Sequence, residues 1–316
     1  MNVDQPNSKN TYYSEISRVE FYVLGSKENY IDSSVSVTNK DLFKGDIPIS
    51  GGCYDAAMGS TSYSYNCFTC GLSKGVCSGH SGSLDLNYPV KNPLFREGIL
   101  RWLKVICFKC GRLLVEKDIS VASNRMLIEY VKLAKSVLHC PYEDCGEPHP
   151  IVNKDKFEQA KFTIEYNSKS RKEELFNHNI RDILERISNE TVLKMQTPLS
   201  AHPKNFMLDI IRVPPNTIRP DIRRQGGARS NNNDITALTK KMVEINEFLP
   251  KEVPEIVEIS KELREMYFNL DMTYYEMIKG TSTTNNQVRM VTTTSSNKAP
   301  SSIASQIPKK SGKHSA

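Results

Sequence analysis

The sequence predicts an α+β fold, elongated and mainly helical, with short strands and two structural zinc knuckles. Three observations lead there. Seven of the eight cysteines fall with His80 into two groups of four possible metal ligands. Five stretches repeat apolar residues at helical spacing, the mark of amphipathic helices packed on a core. Residues 16–24, ISRVEFYVL, place Val19, Phe21 and Val23 at period two, as a half-buried strand does.

The first ligand group is Cys67, Cys70, Cys77 and His80, spaced C-x2-C-x6-C-x2-H. The second is Cys107, Cys110, Cys140 and Cys145, two short pairs separated by a segment of helical pattern. Zinc takes four thiolate or imidazole ligands in a tetrahedron, and a C-x2-C turn supplies two of them from one knuckle. His139 and His149 flank the second group, and either could stand in for a cysteine there. Residues 1–15 are polar and lack the apolar core of a secretory signal. No later stretch is long and apolar enough to span a bilayer. The expected compartment is therefore reducing, which disfavours disulfides. Two groups of four ligands also exceed what a redox C-x-x-C site uses. Closed four-ligand zinc sites leave no position for a substrate, so the metal is expected to hold structure rather than perform catalysis. The leftover Cys53 reads as a small buried hydrophobe.

The chain has 316 residues, with 25% charged and 38% apolar, as in globular proteins. Its net charge of +6 is carried by the end of the chain. From Gly280 onward there are five basic residues and no acid, whereas the first 279 residues hold 37 basic against 36 acidic groups. That tail is rich in Ser, Thr and Asn and has too few apolar residues to order itself alone.

Along the chain, Pro93 opens a helix with Phe95, Ile99, Trp102, Leu103 and Ile106 on one face, which delivers Cys107. A second helix, with Leu127, Tyr130, Val131, Ala134 and Leu138 inward, returns the chain to Cys140. Phe176, Ile180, Ile183, Leu184 and Ile187 give a third, ending near Thr197-Pro198. Three prolines in Ile210–Pro220 force an extended path. Asp221–Asp234 is a loop by composition, carrying Arg223, Arg224 and Arg229 around Gly226-Gly227. Two helices follow, through Ile235, Leu238, Met242 and Ile245, and through Ile259, Leu263, Met266, Leu270, Tyr274 and Met277. The divisions expected are 1–50, an N-terminal strand segment; 51–150, the zinc-binding core; 151–234, a helical part with its loop; 235–279, a helical pair; and 280–316, the flexible basic tail.

In order, GG-x-YDAAMGST, the C-x2-C-x6-C-x2-H knuckle, SGSLDLNYPVKNPLF and VICFKCG resemble the N-terminal clamp region of the largest subunit of multisubunit DNA-directed RNA polymerases. VPPNTIRP and DITALTKKMVEINEF resemble that family's V-P-P-x-x-[VI]-R-P segment and the helix after it. Ala57 stands where the family's D-x-R-[ML]-G motif has arginine, between Asp55 and Gly59. The wording RWLKVIC looks most like the polymerases of large cytoplasmic DNA viruses.

The resemblance implies a clamp-type module with two structural Zn2+ sites, formed by the two ligand groups above. It also implies contact with template DNA and the RNA–DNA hybrid through Arg219, Arg223, Arg224 and Arg229. The arginine loop corresponds to the family's lid, and residues from about 280 to 305 to its rudder. Implied partners are the second-largest subunit, the remainder of the largest subunit and other polymerase subunits, with no membrane. The implied location is the host cytoplasm or virion for a viral enzyme and the nucleus for a cellular one. The family's N-A-D-F-D-G-D loop, which holds catalytic Mg2+, has no counterpart here. No catalytic residue is therefore expected in this chain, which alone should not polymerise nucleotides, and a split, interrupted or truncated subunit is the expectation. The alternatives are a stand-alone zinc-binding adaptor for nucleic acid or protein, or a gene remnant that does not assemble.

Overall fold

The computed structural model describes residues 16–280 and 303, apart from 18, 20–21, 46, 117–121, 156–160, 167–171, 221, 224–229, 232 and 255–258. In chain order the elements are α1 (Ser26–Ile31), β1 (Phe43–Lys44), β2 (Ile47–Pro48), β3 (Gly82–Lys91), α2 (Arg96–Leu103) and α3 (Ser123–Ala134). There follow β4 (Ile151–Lys154), β5 (Phe162–Glu165), β6 (Glu173–Leu175), α4 (Asn177–Glu185), α5 (Asn189–Lys194) and β7 (Met207–Val213). The chain then forms β8 (Ile222–Arg223), β9 (Ser230–Asn231), α6 (Asp234–Phe248) and α7 (Lys261–Lys279). Short 3-10 turns at Ala56–Met58 and Asn216–Ile218 matter below. The fold is thus mixed, with more strand than the patterning predicts.

An antiparallel ribbon of β3 and β7 is central. Leu84, Leu86, Tyr88 and Val90 alternate along β3 and are buried, as are Leu208, Ile211 and Val213 on β7. The ladder is irregular between Asp85 and Val90. Pro89 lies in that interval and has no N–H to give. The C-terminal part of α6 repairs the gap: Asn87 N–H donates to Asn246 Oδ1 at 2.7 Å, and Asn87 Nδ2 donates to the carbonyls of Asn246 and Leu249 at 3.0 Å each.

Two hydrophobic clusters flank this ribbon. One gathers α2, α3, α4 and β4–β5 around Ile99, Leu103, Ile106, Phe162, Ile180 and Leu184. The other packs the ribbon on α6 and α7 through Met242, Val243, Tyr267, Leu270 and Met277. Both late helices carry side-chain N-caps. Asn233 Oδ1 accepts from Ile235 N–H at 2.9 Å and Ser260 Oγ from Leu263 N–H at 3.2 Å. Gly280, at φ +85°, closes α7 with its N–H on the Glu276 carbonyl.

Four expectations are corrected. The described residues of 16–24 form no strand: Val19 is 70% exposed, and Val23 N–H bonds the Ser200 carbonyl rather than a sheet neighbour. Leu138 lies beyond the end of α3 and is exposed. The third helix is two, because Ser188 caps a new start by accepting from Thr191 N–H at 3.2 Å. The 151–234 region is not simply helical: β4, β5 and β6 form an antiparallel sheet there. The 280–316 tail lies outside the described residues except Gly280 and Ile303.

Candidate metal centres and the loop base

Both sequence groups converge. The ligand atoms of Cys67, Cys70, Cys77 and His80 all lie within 4.8 Å of one another, as do those of Cys107, Cys110, Cys140 and Cys145. His139 and His149 belong to neither set. His139 pairs its backbone with Pro148, and His149 packs edge-on against Phe108 with ring centroids 5.3 Å apart. Burial pushes the His149 imidazole down to about 4.

The local turns explain the convergence. Cys67 N–H bonds the Leu72 carbonyl at 2.9 Å, and Gly71 N–H bonds the Cys67 carbonyl at 2.8 Å. The second knuckle repeats the pattern: Cys107 N–H bonds Arg112 O at 2.8 Å, and Gly111 N–H bonds Cys107 O at 2.9 Å. Gly71 and Gly111 both sit at φ +71°, a conformation that disfavours a side chain. Gly146, at φ +56°, follows Cys145 in the same way.

The sulfur separations fit a metal and not a disulfide. Cys107 Sγ and Cys145 Sγ are 3.7 Å apart, Cys110 Sγ and Cys140 Sγ 3.7 Å, and Cys70 Sγ and Cys77 Sγ 3.5 Å. A disulfide needs about 2.05 Å. A tetrahedron with zinc–sulfur bonds of about 2.3 Å has edges of about 3.8 Å. In the first group His80 Nε2 is buried without a hydrogen-bond partner, an orphaned donor or acceptor that a metal ion would satisfy. At Cys110 burial pushes the thiol up, but hydrogen bonds from the Arg112 side chain and backbone outweigh it and bring it to about 7. Burial carries Cys140 the other way, to about 12. Such sets could hold zinc ions, which bind thiolates and displace their protons.

Each centre is seated on the core. At the second, Arg112 Nη2 reaches Asp144 Oδ1 at 2.6 Å and Lys109 Nζ reaches Glu147 Oε2 at 3.1 Å, tying its two turns together. A Cβ added at Gly111 would stand 2.3 Å from the Arg186 carbonyl, so the knuckle lies directly on the end of α4. At the first centre, the floor is the 3-10 turn of Ala56–Met58. Asp55 caps it, accepting from Ala57 N–H at 2.7 Å and Gly51 N–H at 2.6 Å. His80 N–H bonds Met58 O, and Thr69 Oγ1 donates to Ala57 O at 2.7 Å. Cys53 is fully buried beside this floor, its thiol pushed up to about 11 by burial.

The arginines expected at nucleic acid separate. Arg219 is completely buried: Nε donates to Pro214 O at 2.9 Å, Nη1 to Thr236 Oγ1 at 3.2 Å and Nη2 to Asn216 Oδ1 at 3.1 Å. It is corrected from a nucleic-acid contact to a core residue. A lone arginine beside prolines gives no sign of burial, because that depends on how the chain folds back to set the Pro214, Asn216 and Thr236 acceptors, with Met58 and Tyr54 from far earlier in the sequence, around it. The backbone of Arg223 lies on β8, paired with Ser230 of β9. Arg224 and Arg229 lie outside the described residues.

Sequence patterning missed a second polar core. Asp271 on α7 accepts from the Lys91 backbone N–H at 2.9 Å and from Arg96 Nη2 at 2.9 Å, and Asn177 Nδ2 donates to Pro89 O at 2.9 Å. The available signal was an aspartate on the apolar stripe of α7, between Tyr267 and Tyr274.

Taken together, fold and site define an α+β module with two closed cysteine-rich centres, each suited to a structural metal. The family model described as RNA polymerase Rpb1, domain 1, matches residues 13–313, and the chain belongs to that family. Over 244 residues it is 34% identical to a DNA-directed RNA polymerase RPB1 homolog of African swine fever virus, covering 76% of this chain and 17% of that protein. Similarity extends to the archaeal DNA-directed RNA polymerase subunit Rpo1N. Identity is 30% over 255 residues in Sulfolobus acidocaldarius, covering 75% of this chain and 28% of that protein. In Methanothermobacter thermautotrophicus it is 31% over 246 residues, covering 73% and 27%. The chain therefore spans less than a third of the length of these relatives. No helix among the described residues is long and apolar enough to cross a membrane.

Proposed function

We propose that this chain is the N-terminal clamp portion of a DNA-directed RNA polymerase largest subunit, stapled by two structural zinc ions and contributing to the grip on template DNA and the RNA–DNA hybrid. The observation that carries the reading is the family match over residues 13–313, in which both ligand quartets come together. The chain works as part of a nucleotidyltransferase and is inactive alone. Mg2+ belongs to the assembled enzyme, on carboxylates outside this sequence. Its partners are the second-largest subunit, the remainder of the largest subunit and other polymerase subunits. Its site of action is the host cytoplasm or virion for a viral enzyme and the nucleus for a cellular one.

Within this reading the loop around Arg223, Arg224 and Arg229 is lid-like, and the basic tail after Gly280 is rudder-like. Phosphate contacts by arginine carry no sequence information, which suits an enzyme that must transcribe any template. Charge reversal of all three arginines in the assembled enzyme tests the assignment. Retention of an RNA–DNA hybrid at moderate salt should fall by about tenfold or more, since each phosphate contact adds to the salt-dependent affinity. Zinc content should not change. Undiminished retention would remove this loop from the nucleic-acid interface.

A further inference from the structure

We infer that the first metal centre and the start of α6 form one mechanical unit, joined through Thr217, Asn216 and Arg219, whereas the second centre is uncoupled from it. This rests on the zinc reading of the first group and extends it to a positioning role.

The connection can be followed atom by atom. The turn between Cys77 and His80 is held against the proline segment: Thr217 Oγ1 donates to Ser78 O at 3.1 Å. A Cβ added at Gly79 would stand 2.3 Å from Thr217 Oγ1 and 2.7 Å from Pro215 Cβ, so the side chains of Thr217 and Pro215 pack directly on the Gly79 backbone. Gly79 N–H in turn points at Cys77 Sγ from 3.3 Å, the kind of bond that steadies a ligating thiolate. One residue before Thr217, fully buried Asn216 directs Nδ2 to the carbonyls of Tyr54, Asp55 and Gly59 at 3.3, 2.7 and 3.2 Å. Those carbonyls bracket the floor of the same centre. Asn216 Oδ1 then accepts from Arg219, whose Nη2 also touches Met58 Sδ at 3.5 Å.

Arg219 completes the link. Its Nη1 reaches Thr236 Oγ1 in the first turn of α6, a residue 2% exposed. Residues 219 and 236 flank the arginine-bearing stretch in sequence, and this bond ties them together. A fully buried guanidinium is costly unless its donors are satisfied, so the cation holds its acceptors in fixed places. Any shift of the metal-centre floor therefore has to move Asn216 and Arg219, and with them the start of α6. The second centre sits in the other hydrophobic cluster, on α4, through Gly111 and the bond from Arg186 Nη1 to Phe108 O at 2.6 Å.

Hydrogen–deuterium exchange on the full chain tests the coupling, comparing wild type, C77S, C140S, R219M and T217A, with zinc counted on the same samples. Amides of α6 from Ala237 to Thr239 should exchange on the order of tenfold faster in C77S and R219M, as loss of a buried charge-assisted hydrogen bond implies. T217A, which removes one hydroxyl, should give a smaller change in the same place. C140S should leave these amides at the wild-type rate. Amides of α7 report global folding, and if C77S unfolds the chain, T217A against C140S decides. Equal exchange of α6 in T217A and wild type, or acceleration in C140S matching that in C77S, would overturn the coupling. Zinc counts unaffected by C77S would instead refute the metal reading beneath it.

Discussion

Asp271 Oδ2 lies 3.3 Å from Lys91 Nζ, and both side chains are almost wholly withdrawn from solvent, at 3% and 4% exposure. Arg96 Nη2 reaches the same oxygen at 2.9 Å, and its guanidinium stacks over Tyr275. One carboxylate on α7 thus pins β3 and α2. Burial pulls the Lys91 ammonium pKa down, and Asp271 opposes that pull.

Removing the carboxylate strands two cations at once. Asp271→Ala should cost about 3–5 kcal/mol in denaturant unfolding of the metal-loaded chain, the range for breaking a buried ion pair. Lys91→Met should cost less, because Arg96 still pairs the aspartate. An equal or larger loss in Lys91→Met would contradict the carboxylate as the shared anchor of β3 and α2.

Gly71 and Gly111 offer a matched comparison. Both lie at φ +71° after a C-x2-C pair, but a Cβ at Gly71 meets nothing within 4 Å, whereas one at Gly111 collides with the backbone of Arg186. Gly71→Ala should cost about 1–2 kcal/mol, the conformational penalty alone. Gly111→Ala should cost clearly more, because backbone cannot swing aside as a side chain can. Thermal melts of the two variants at equal zinc loading check this, and similar midpoints would contradict the docking of the second knuckle on α4.

His202 should make stability fall with acid. Its Nδ1 accepts from Lys204 N–H at 3.1 Å, so Nε2 carries the proton and donates to Ile187 O, also at 3.1 Å. Burial, then the Lys204 charge, hold the imidazole below its ordinary value. The unfolded chain, with a histidine near pKa 6.5, therefore binds the proton more readily than the folded one. This contribution is complete above about pH 6.5 and is lost as pH falls below it toward the folded value. Between pH 7.5 and 5.5, Tm should drop more steeply in wild type than in His202→Asn. Parallel curves would contradict a folded-state imidazole held below its ordinary value by burial.

Much of the site was legible in the residues, because metal ligands come in short, typed spacings that survive without knowledge of the fold. The eight candidate ligands and most of the apolar helical stripes are local signals of that kind. What escaped is non-local. The alternation of Leu84, Leu86, Tyr88 and Val90 was present but lay within a stretch interrupted by Pro89, and its partner β7 is more than a hundred residues away. β4, β5 and β6 have only three or four residues each, too short for periodicity to register. Arg219 and Asp271 look like surface charges until partners from distant segments surround them. Conversely, the alternation in ISRVEFYVL has no strand beside it to pair with among the described residues, and period two alone does not make a sheet.

The most direct measurement is purification of this chain from its native source, with mass spectrometry of everything that accompanies it and an assay for template-dependent RNA synthesis. The account predicts recovery with a second-largest polymerase subunit and with sequence bearing the aspartate loop, in a fraction that makes RNA. Recovery of the chain alone, without RNA synthesis, would contradict it.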